Sequence, residues 1–239
     1  MSTSALSRQF ILDRICAAIL PPAKDLAGAA VDYAALPRNY IRRGSLSLEE
    51  KLQLMIKRLR EYDAEVIETT PQELPAAIAA QLKASGRSNF IAPAGLPVEW
   101  LADDFHWTID HGLSTDEIEQ TEGVVTAAFC GVADSGTIVL HHSAEEGRRV
   151  LTLLPDWHLC ILRSSQVVQS FPEYIDRLPQ PPRLVTYISG PSATADIEMT
   201  RIKGVHGPRF LNVILVHDES ASTKESEPKP AKTRSAKLR

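Results

Sequence analysis

Three polar stretches in this sequence combine glycine with hydroxyl, carboxylate or imidazole side chains directly after apolar runs. They are ADSGT at 133–137, GPSATADIE at 190–198 and GVHGP at 204–208. In open parallel sheets, ligands bind at the carboxyl ends of strands, where loops turn backbone N–H groups toward an anion. We therefore predict that these loops hold a small anionic metabolite or the phosphate of a cofactor.

The first stretch has two interpretations. Asp134 and Ser135 favour a turn, and Gly136 allows a close backbone approach that a side chain would prevent. The stretch is either a hairpin turn between two strands or a ligand contact made by Ser135, Gly136 and Thr137. Asp134 is a candidate base or nucleophile.

Two adjacent arginines, Arg148 and Arg149, follow Gly147 a few residues later. Guanidinium groups at this point could bind a carboxylate or a phosphate. Adjacent residues on a helix point about 100° apart, so at most one of the two faces a site, and we favour Arg148. The alternative is a solvated pair at the start of an element.

The second stretch is the strongest candidate for an anion-binding turn. Gly190 and Pro191 force a sharp exit from the preceding strand, and the hydroxyl of Ser192 or Thr194 can cap the next turn. The N–H groups freed by that geometry would form an anion nest.

Two carboxylates, Asp196 and Glu198, complete this stretch. They share a face in an extended segment and could act as acid and base, but Asp196 could equally cap a helix or pair with an arginine. In the third stretch, His206 lies between Gly204 and Gly207, where its imidazole could donate a hydrogen bond, act as a general base or fix the loop. We expect this third stretch to fold against the second.

The other histidines and the cysteines do not indicate a metal site. His106 and His111 lack the i, i+4 spacing of a helical zinc pair, and the adjacent His141 and His142 would point to opposite faces of a strand. The three cysteines are too few to ligate an iron–sulfur cluster through four thiolates. They are widely separated, at Cys16, Cys130 and Cys160. We therefore expect reduced thiols, and any iron–sulfur cluster on a partner protein.

The elements that must position these residues alternate between helix and strand. SLSLEEKLQLMIKRLREY predicts a helix, with Ser47 and Glu50 at capping-box spacing and one apolar stripe. AEVIET then predicts a strand, PQELPAAIAAQLKASG a helix and SNFIAPAG a strand, the order of a parallel crossover. Further strands fit TEGVVTAAFCGVA, GTIVLHH, WHLCILR, RLVTYISG and FLNVILVHD. The fold class is α/β, with a mostly parallel sheet flanked by helices.

The chain divides into three parts by composition. Residues 1–46 indicate a helical N-terminal extension, residues 47–217 the α/β domain, and residues 218–239 a polar tail that cannot bury enough surface to fold. The net charge is −4, and without the tail it falls to −6, which argues against a broad nucleic-acid surface. No apolar stretch is long enough for a membrane span, and we expect a cytoplasmic protein.

Taken together, the motifs resemble those of the lactate utilization protein C family, which is defined by the LUD domain. The resemblance covers most of residues 30–217 and rests on DSGTIVL, GRRVLTLLPDWH, GPSATADIE and GVHGP followed by LNVILV, in the family's order and spacing. It implies a fold similar to that of the NagB/RpiA/CoA transferase superfamily. It also implies a role in oxidising L-lactate, or a related 2-hydroxy acid, to the keto acid beside iron–sulfur partner proteins.

One departure from the family concerns Ala193, where some members carry a basic residue. An anion clamp at that position is either missing or replaced by Arg201, Lys203 or Arg209. Two other classes of function stay open. The chain could be a free-standing isomerase or acyl/CoA-transferase-like enzyme using Asp134, Asp196 or Glu198 with His206, or an interaction module, with a homo-oligomer also possible.

Overall fold

The computed structural model describes residues 3–19, 35–37, 39–194, 202–203 and 207–218. The chain forms two compact units, residues 1–41 and residues 42–239. Helix α1 (Thr3–Ile19) belongs to the first unit. The second unit contains α2 (Leu48–Glu61), α3 (Leu74–Ala84), α4 (Thr115–Glu119) and α5 (Phe171–Asp176).

Helix α2 begins at the predicted capping box. The Ser47 hydroxyl accepts a hydrogen bond from the backbone N–H of Glu50, and the Glu50 carboxylate accepts one from the N–H of Ser47 at 2.8 Å. The predicted apolar stripe runs from Leu48 to Tyr62, and it buries Leu52, Met55 and Leu59, whereas Leu48 and Tyr62 at its two ends are exposed. The helix is therefore fixed locally by its cap and globally by this buried face.

The strands of the second unit form a large parallel sheet and two smaller sheets. In chain order they are β1 (Glu65–Thr69), β2 (Asn89–Pro93), β3 (His106–Asp110), β4 (Gly123–Ala127), β5 (Cys130–Val132), β6 (Thr137–Leu140), β7 (Trp157–Arg163), β8 (Val167–Val168), β9 (Thr186–Ile188), β10 (Ala193–Thr194), β11 (Ile202–Lys203) and β12 (Phe210–Val216). The large sheet has the order β1-β12-β7-β4-β2-β3, and every neighbouring pair is parallel. The α/β class and the mostly parallel sheet are thus confirmed.

Helices cover both faces of this sheet. On one face, Met55 of α2 packs in a cluster with Leu162 of β7 and Leu215 of β12. On the other, Ile78 of α3 packs in a cluster with Ile214 of β12. Burial on both faces explains why β4, β7 and β12 are nearly continuous apolar runs.

The strand predicted from TEGVVTAAFCGVA is instead two strands in different sheets. The chain leaves the large sheet after β4, and β5 joins a four-stranded sheet of order β8-β5-β6-β9. In this sheet β6 is antiparallel to both β5 and β9. A buried antiparallel strand has the same apolar sequence as a buried parallel one, so the runs TIVL and TYI gave no sign of their separate sheet. The Gly190 stretch consequently follows β9 of this four-stranded sheet, the small sheet, and does not leave the carboxyl edge of the large sheet.

Two further features differ from the sequence interpretation, one missed strand and the start of the tail. Strand β3 was not predicted, although it forms one edge of the large sheet. Asp218, assigned to the tail, is hydrogen-bonded to the folded unit: its carboxylate accepts from the hydroxyls of Ser164 and Ser165 at 2.5 Å each. The remainder of the tail lies outside the described residues. In the described part of the chain, no helix is both long and apolar enough to cross a membrane.

Candidate functional site

A cavity of about 290 Å³ lies where the small sheet meets the amino ends of β7 and β12. His158 and Leu211, the second residues of these two strands and register partners, form part of its lining. The Gly190 turn and the turn before β12 form other walls. Its volume is just below the range for drug-sized ligand sites, about 300–1,000 Å³. The cavity therefore lies at the amino ends of β7 and β12, whereas the sequence analysis predicted a site at the carboxyl ends of the parallel strands.

Arg149 is the charged side chain at this cavity. It begins a short 3₁₀ helix, Arg149–Thr152, that leads toward β7. Among the described residues, no carboxylate lines the cavity, and the exposed Arg149 guanidinium makes no ion pair or hydrogen bond. Of the two adjacent arginines, Arg149 lines this cavity, whereas the sequence analysis favoured Arg148 as the residue facing a site.

Arg148 is instead bound to Asp110, at the carboxyl end of β3. Its Nε and Nη2 donate to the two carboxylate oxygens at 2.8 and 2.6 Å, and Nη2 also donates to the carbonyl of Leu113 at 2.8 Å. The Asp110 side chain is 4% exposed, whereas that of Arg148 is 46% exposed. The hydrogen bond from Arg148 is the main factor that lowers the pKa of Asp110. Both residues line a separate cavity of about 230 Å³.

The two Gly-Pro stretches come together at the first cavity. The backbone N–H of Ser192 donates to the carbonyl oxygen of Pro208 at 2.8 Å, and β10 pairs with β11 in an antiparallel ribbon. Gly190, Pro191, Ser192 and Gly207 all line the cavity. Because the Ser192 N–H is used by Pro208, it is not available to an anion nest.

Several of the predicted residues lie outside the described part of the chain. These are Asp196, Glu198, Gly204 and His206, together with the side chain of Thr194. The same holds for Arg201 and the side chain of Lys203. Arg209, the remaining candidate for an alternative anion clamp, donates to Asp156 through Nε at 2.5 Å and Nη2 at 3.0 Å.

The ADSGT stretch forms the turn of the β5–β6 hairpin. Gly136 has a φ of +62°, and a Cβ added there would lie 2.5 Å from the Cβ of Arg58 in α2. The close backbone approach that Gly136 allows is therefore between this hairpin turn and helix α2. Asp134 is exposed and does not line the cavity.

A chain of hydroxyls nevertheless joins this turn to the cavity. The Ser135 Oγ lies 2.7 Å from Thr137 Oγ1, which lies 2.8 Å from the Oγ of Ser189 in the cavity wall. Thr137 is 2% exposed, so its hydroxyl is satisfied by these two neighbours. Ser135 and Thr137 thus hold Ser189 in place through hydrogen bonds and do not line the cavity themselves. The spacing of these residues in the sequence does not indicate this role.

The adjacent histidines, His141 and His142, also form hydrogen bonds beside the small sheet. Nε2 of His141 lies 2.8 Å from the hydroxyl of Tyr174, and burial is the main factor that lowers the pKa of His141. His142 has a φ of +58°, and its Nε2 lies 2.8 Å from Oγ1 of Thr186, which lines the cavity. Among the described residues, no group of three His, Cys, Asp or Glu side chains is placed to hold a metal ion.

His158 lies in the cavity lining, although it falls in the predicted strand WHLCILR and was not a predicted site residue. It is 1% exposed, and its Nε2 lies 2.8 Å from Oγ1 of Thr126. Burial alone lowers the pKa of His158 to about 4, so the ring is neutral at physiological pH. The sequence signal that could have indicated this residue is an imidazole within WHLCILR, a run that is otherwise apolar up to Arg163.

Comparison with known protein families and structures gives a consistent result. Residues 49–216 match the model of the LUD domain. A lactate utilization protein C of Deinococcus radiodurans is 39% identical over 72% of this chain and 82% of its own length. One from Bacillus subtilis is 28% identical over 89% of this chain and 97% of its own length. A crystal structure of a DUF162 family protein from Deinococcus radiodurans superposes with a TM-score of 0.60 at 33% identity, covering 72% of this chain and 99% of the other.

Proposed function

Because the chain belongs to the LUD domain family, we propose that it is a lactate utilization protein C-like subunit. In this role it supports oxidation of L-lactate, or a related 2-hydroxy acid, to the keto acid together with iron–sulfur partner proteins. Residues 47–217 supply the LUD-like domain, whose fold is similar to that of the NagB/RpiA/CoA transferase superfamily. The relatives named lactate utilization protein C support the pathway, and the cavity supports a direct role for a metabolite.

The observation that carries the proposal is the charge of the cavity. Arg149 is unpaired among the described residues, and the hydroxyl-bearing residues Thr186 and Ser189 share its lining. A guanidinium can bind a carboxylate through two parallel hydrogen bonds, and hydroxyls can donate to its remaining lone pairs. A small monocarboxylate therefore suits both the charge and the volume, and the Gly190 and Gly207 turns close around it.

In the proposed function, the partner proteins carry the iron–sulfur chemistry. Burial is the main factor that raises the pKa of Cys130 to about 11 and that of Cys160 to about 12. Both thiols are buried, and three cysteines are fewer than the four thiolates that hold the common iron–sulfur clusters. The contribution of this chain is binding and orientation of the organic anion.

Growth on lactate tests the proposal at the level of the pathway. In a strain whose copy of this gene is deleted while neighbouring genes stay expressed, we expect growth on L-lactate to fail and to return with the wild-type gene. The Arg149→Gln variant should restore growth poorly. The Arg183→Gln variant is the matched control, because Arg183 is also exposed but does not line the cavity. Normal growth of the deletion strain would refute the proposal.

Direct binding tests the cavity. Titration calorimetry of the purified full chain with L-lactate, pyruvate, glycolate and phosphate should give saturable binding of at least one carboxylate. Arg149→Gln should weaken it by about tenfold or more, the effect of losing one charge-assisted contact, while Arg183→Gln leaves it unchanged. Equal affinity in the two variants would show that Arg149 does not hold the anion.

A further inference from the structure

His158 is a buried polar side chain inside the large sheet and at the cavity. Strand β7 lies between β4 and β12, and the register pairs His158 with Val124 on one side and with Leu211 on the other. The residue is 1% exposed, yet it contributes to the cavity lining. A polar ring in such a position has a large desolvation cost unless its nitrogens are satisfied.

The two ring nitrogens of His158 have different surroundings. Nε2 lies 2.8 Å from Oγ1 of Thr126, which is itself fully buried. Nδ1 has no hydrogen-bond partner among the described residues. The ring is part of the cavity lining. The nitrogen left over is thus available to a molecule in the cavity.

The ring is held neutral, and a neutral imidazole carries its proton on either nitrogen. When the Thr126 hydroxyl donates to Nε2, the proton is on Nδ1, which becomes a donor. When Nε2 donates to the Thr126 oxygen, Nδ1 becomes an acceptor. Because a hydroxyl can donate or accept, this pair can offer either polarity to a ligand without leaving Nε2 unsatisfied.

The ability of Nδ1 to donate or to accept matches a chemical difference between 2-hydroxy acids and 2-keto acids. A 2-hydroxy acid presents a hydroxyl that can donate to a ring nitrogen, whereas a 2-keto acid presents a carbonyl oxygen that can only accept. We propose that His158 is a specificity-determining residue that hydrogen-bonds the 2-oxygen of a small 2-hydroxy or 2-keto carboxylate whose carboxylate is held by Arg149. The inference rests on the proposed function and assigns to His158 the recognition of the oxygen on the second carbon of the ligand.

The experiment compares L-lactate, pyruvate and propionate, which share a three-carbon carboxylate and differ at the second carbon. Titration calorimetry of the wild-type full chain should show lactate and pyruvate binding about tenfold or more tightly than propionate, the effect of one hydrogen bond in a desolvated site. In Arg149→Gln, all three ligands should lose affinity, because they share the carboxylate.

Two variants of His158 separate recognition from folding. The amide of His158→Gln can take the position of Nε2 and keep the bond to Thr126, but it offers nothing at Nδ1. The shorter amide of His158→Asn reproduces Nδ1 and gives up the contact with Thr126. We expect His158→Gln to bind all three ligands within about twofold of one another, whereas His158→Asn keeps part of the preference for lactate and pyruvate.

Each outcome bears on a separate claim. If His158→Gln keeps the wild-type preference, or if wild-type protein binds propionate as tightly as lactate, the inference about His158 is wrong while carboxylate binding stands. If none of the three ligands binds wild-type protein, the proposed binding function fails first, and the inference fails with it. Thermal unfolding of both variants shows whether either loses its fold.

Discussion

The backbone N–H of Ser192 donates a 2.8 Å hydrogen bond to the carbonyl oxygen of Pro208. This bond joins the turn after β9 to the turn before β12, so two stretches separated in the sequence form one wall of the cavity. The position of each turn therefore depends on the backbone conformation of the other. Gly207, next to Pro208, is the residue at which this dependence is easiest to test.

Replacing Gly207 with alanine should weaken both stability and binding. Its φ is +149°, a conformation that L residues rarely adopt, although an added Cβ would have room, with 3.6 Å to the Cβ of Ser192. We expect a loss of about 1–2 kcal/mol in the free energy of unfolding and weaker binding of pyruvate. Gly86→Ala is the control, because its φ of +69° also disfavours alanine but no atom lies near it and it does not line the cavity. Equal pyruvate affinity in the two variants would show that the turn geometry is not needed for binding.

Gly136→Ala should be far more destabilising than Gly86→Ala. The two glycines have similar φ values, +62° and +69°, but a Cβ at Gly136 would lie 2.5 Å from the Cβ of Arg58 and 3.1 Å from its backbone carbon. Relief requires a movement of the hairpin away from α2, which we expect to cost about 2–3 kcal/mol beyond the backbone strain. Urea denaturation measures both variants. Similar losses would mean that the hairpin moves freely and that this contact does not fix it.

Substitutions of the two adjacent arginines should differ in their effect on stability. Arg148→Gln removes the bidentate contact with Asp110, whereas Arg149 has no partner among the described residues. Because Arg148 is about half exposed, we expect a loss of only about 1–2 kcal/mol for its variant, and less than about 0.5 kcal/mol for Arg149→Gln. Chemical denaturation provides both values. A destabilised Arg149→Gln protein would indicate a structural contact in place of a ligand-binding role.

The stability of the fold should depend on pH through His158. Its pKa is about 4 in the folded protein and 6.5 in the reference state, so the unfolded chain binds more protons between these values. The stabilising contribution of the neutral ring is complete above about pH 6.5 and is lost progressively toward pH 4. From about pH 7.5 to pH 5, wild-type protein should lose about 2 kcal/mol more than His158→Gln, whose side chain does not titrate.

Urea denaturation of both proteins at the two pH values isolates this effect, because all other titrating groups are shared. Equal pH dependence in the two proteins would show that His158 becomes protonated without unfolding. That result would place water or an anion beside the ring in the unliganded protein.

Much of the fold could be predicted because its signals are local. The capping box at Ser47 and Glu50 set the start of α2, and the apolar runs of β7 and β12 indicated strands buried on both faces. The break between β4 and β5 was missed because both strands are apolar and only two residues separate them. Nothing in such a run shows that the chain passes from one sheet to another.

The site was predicted less completely. Sequence reasoning singled out the Gly190 and Gly204 stretches, and Gly190, Gly207 and Pro208 of these stretches line the cavity. It favoured Arg148 over Arg149, and it expected the ligand at the carboxyl edge of the sheet. It also missed His158, whose neighbours in the sequence are those of an ordinary core strand. The choice between Arg148 and Arg149 depended on Asp110, which lies 38 residues before Arg148 and pairs with it only in the folded chain.

The sequence by itself determined the α/β class, the family and the stretches from which the cavity is built, because periodicity, caps and motifs depend on residues that are close along the chain. Only the tertiary structure decided which arginine is free, which loops meet and at which edge of the sheet they do so. Strand order and register bring β7 and β12 together across a long separation, and the Ser192–Pro208 hydrogen bond joins the turn after β9 to the turn before β12. The physical reason is that hydrogen-bond pairing and burial between distant segments are selected by the packing of the whole domain, and no local stretch contains that information.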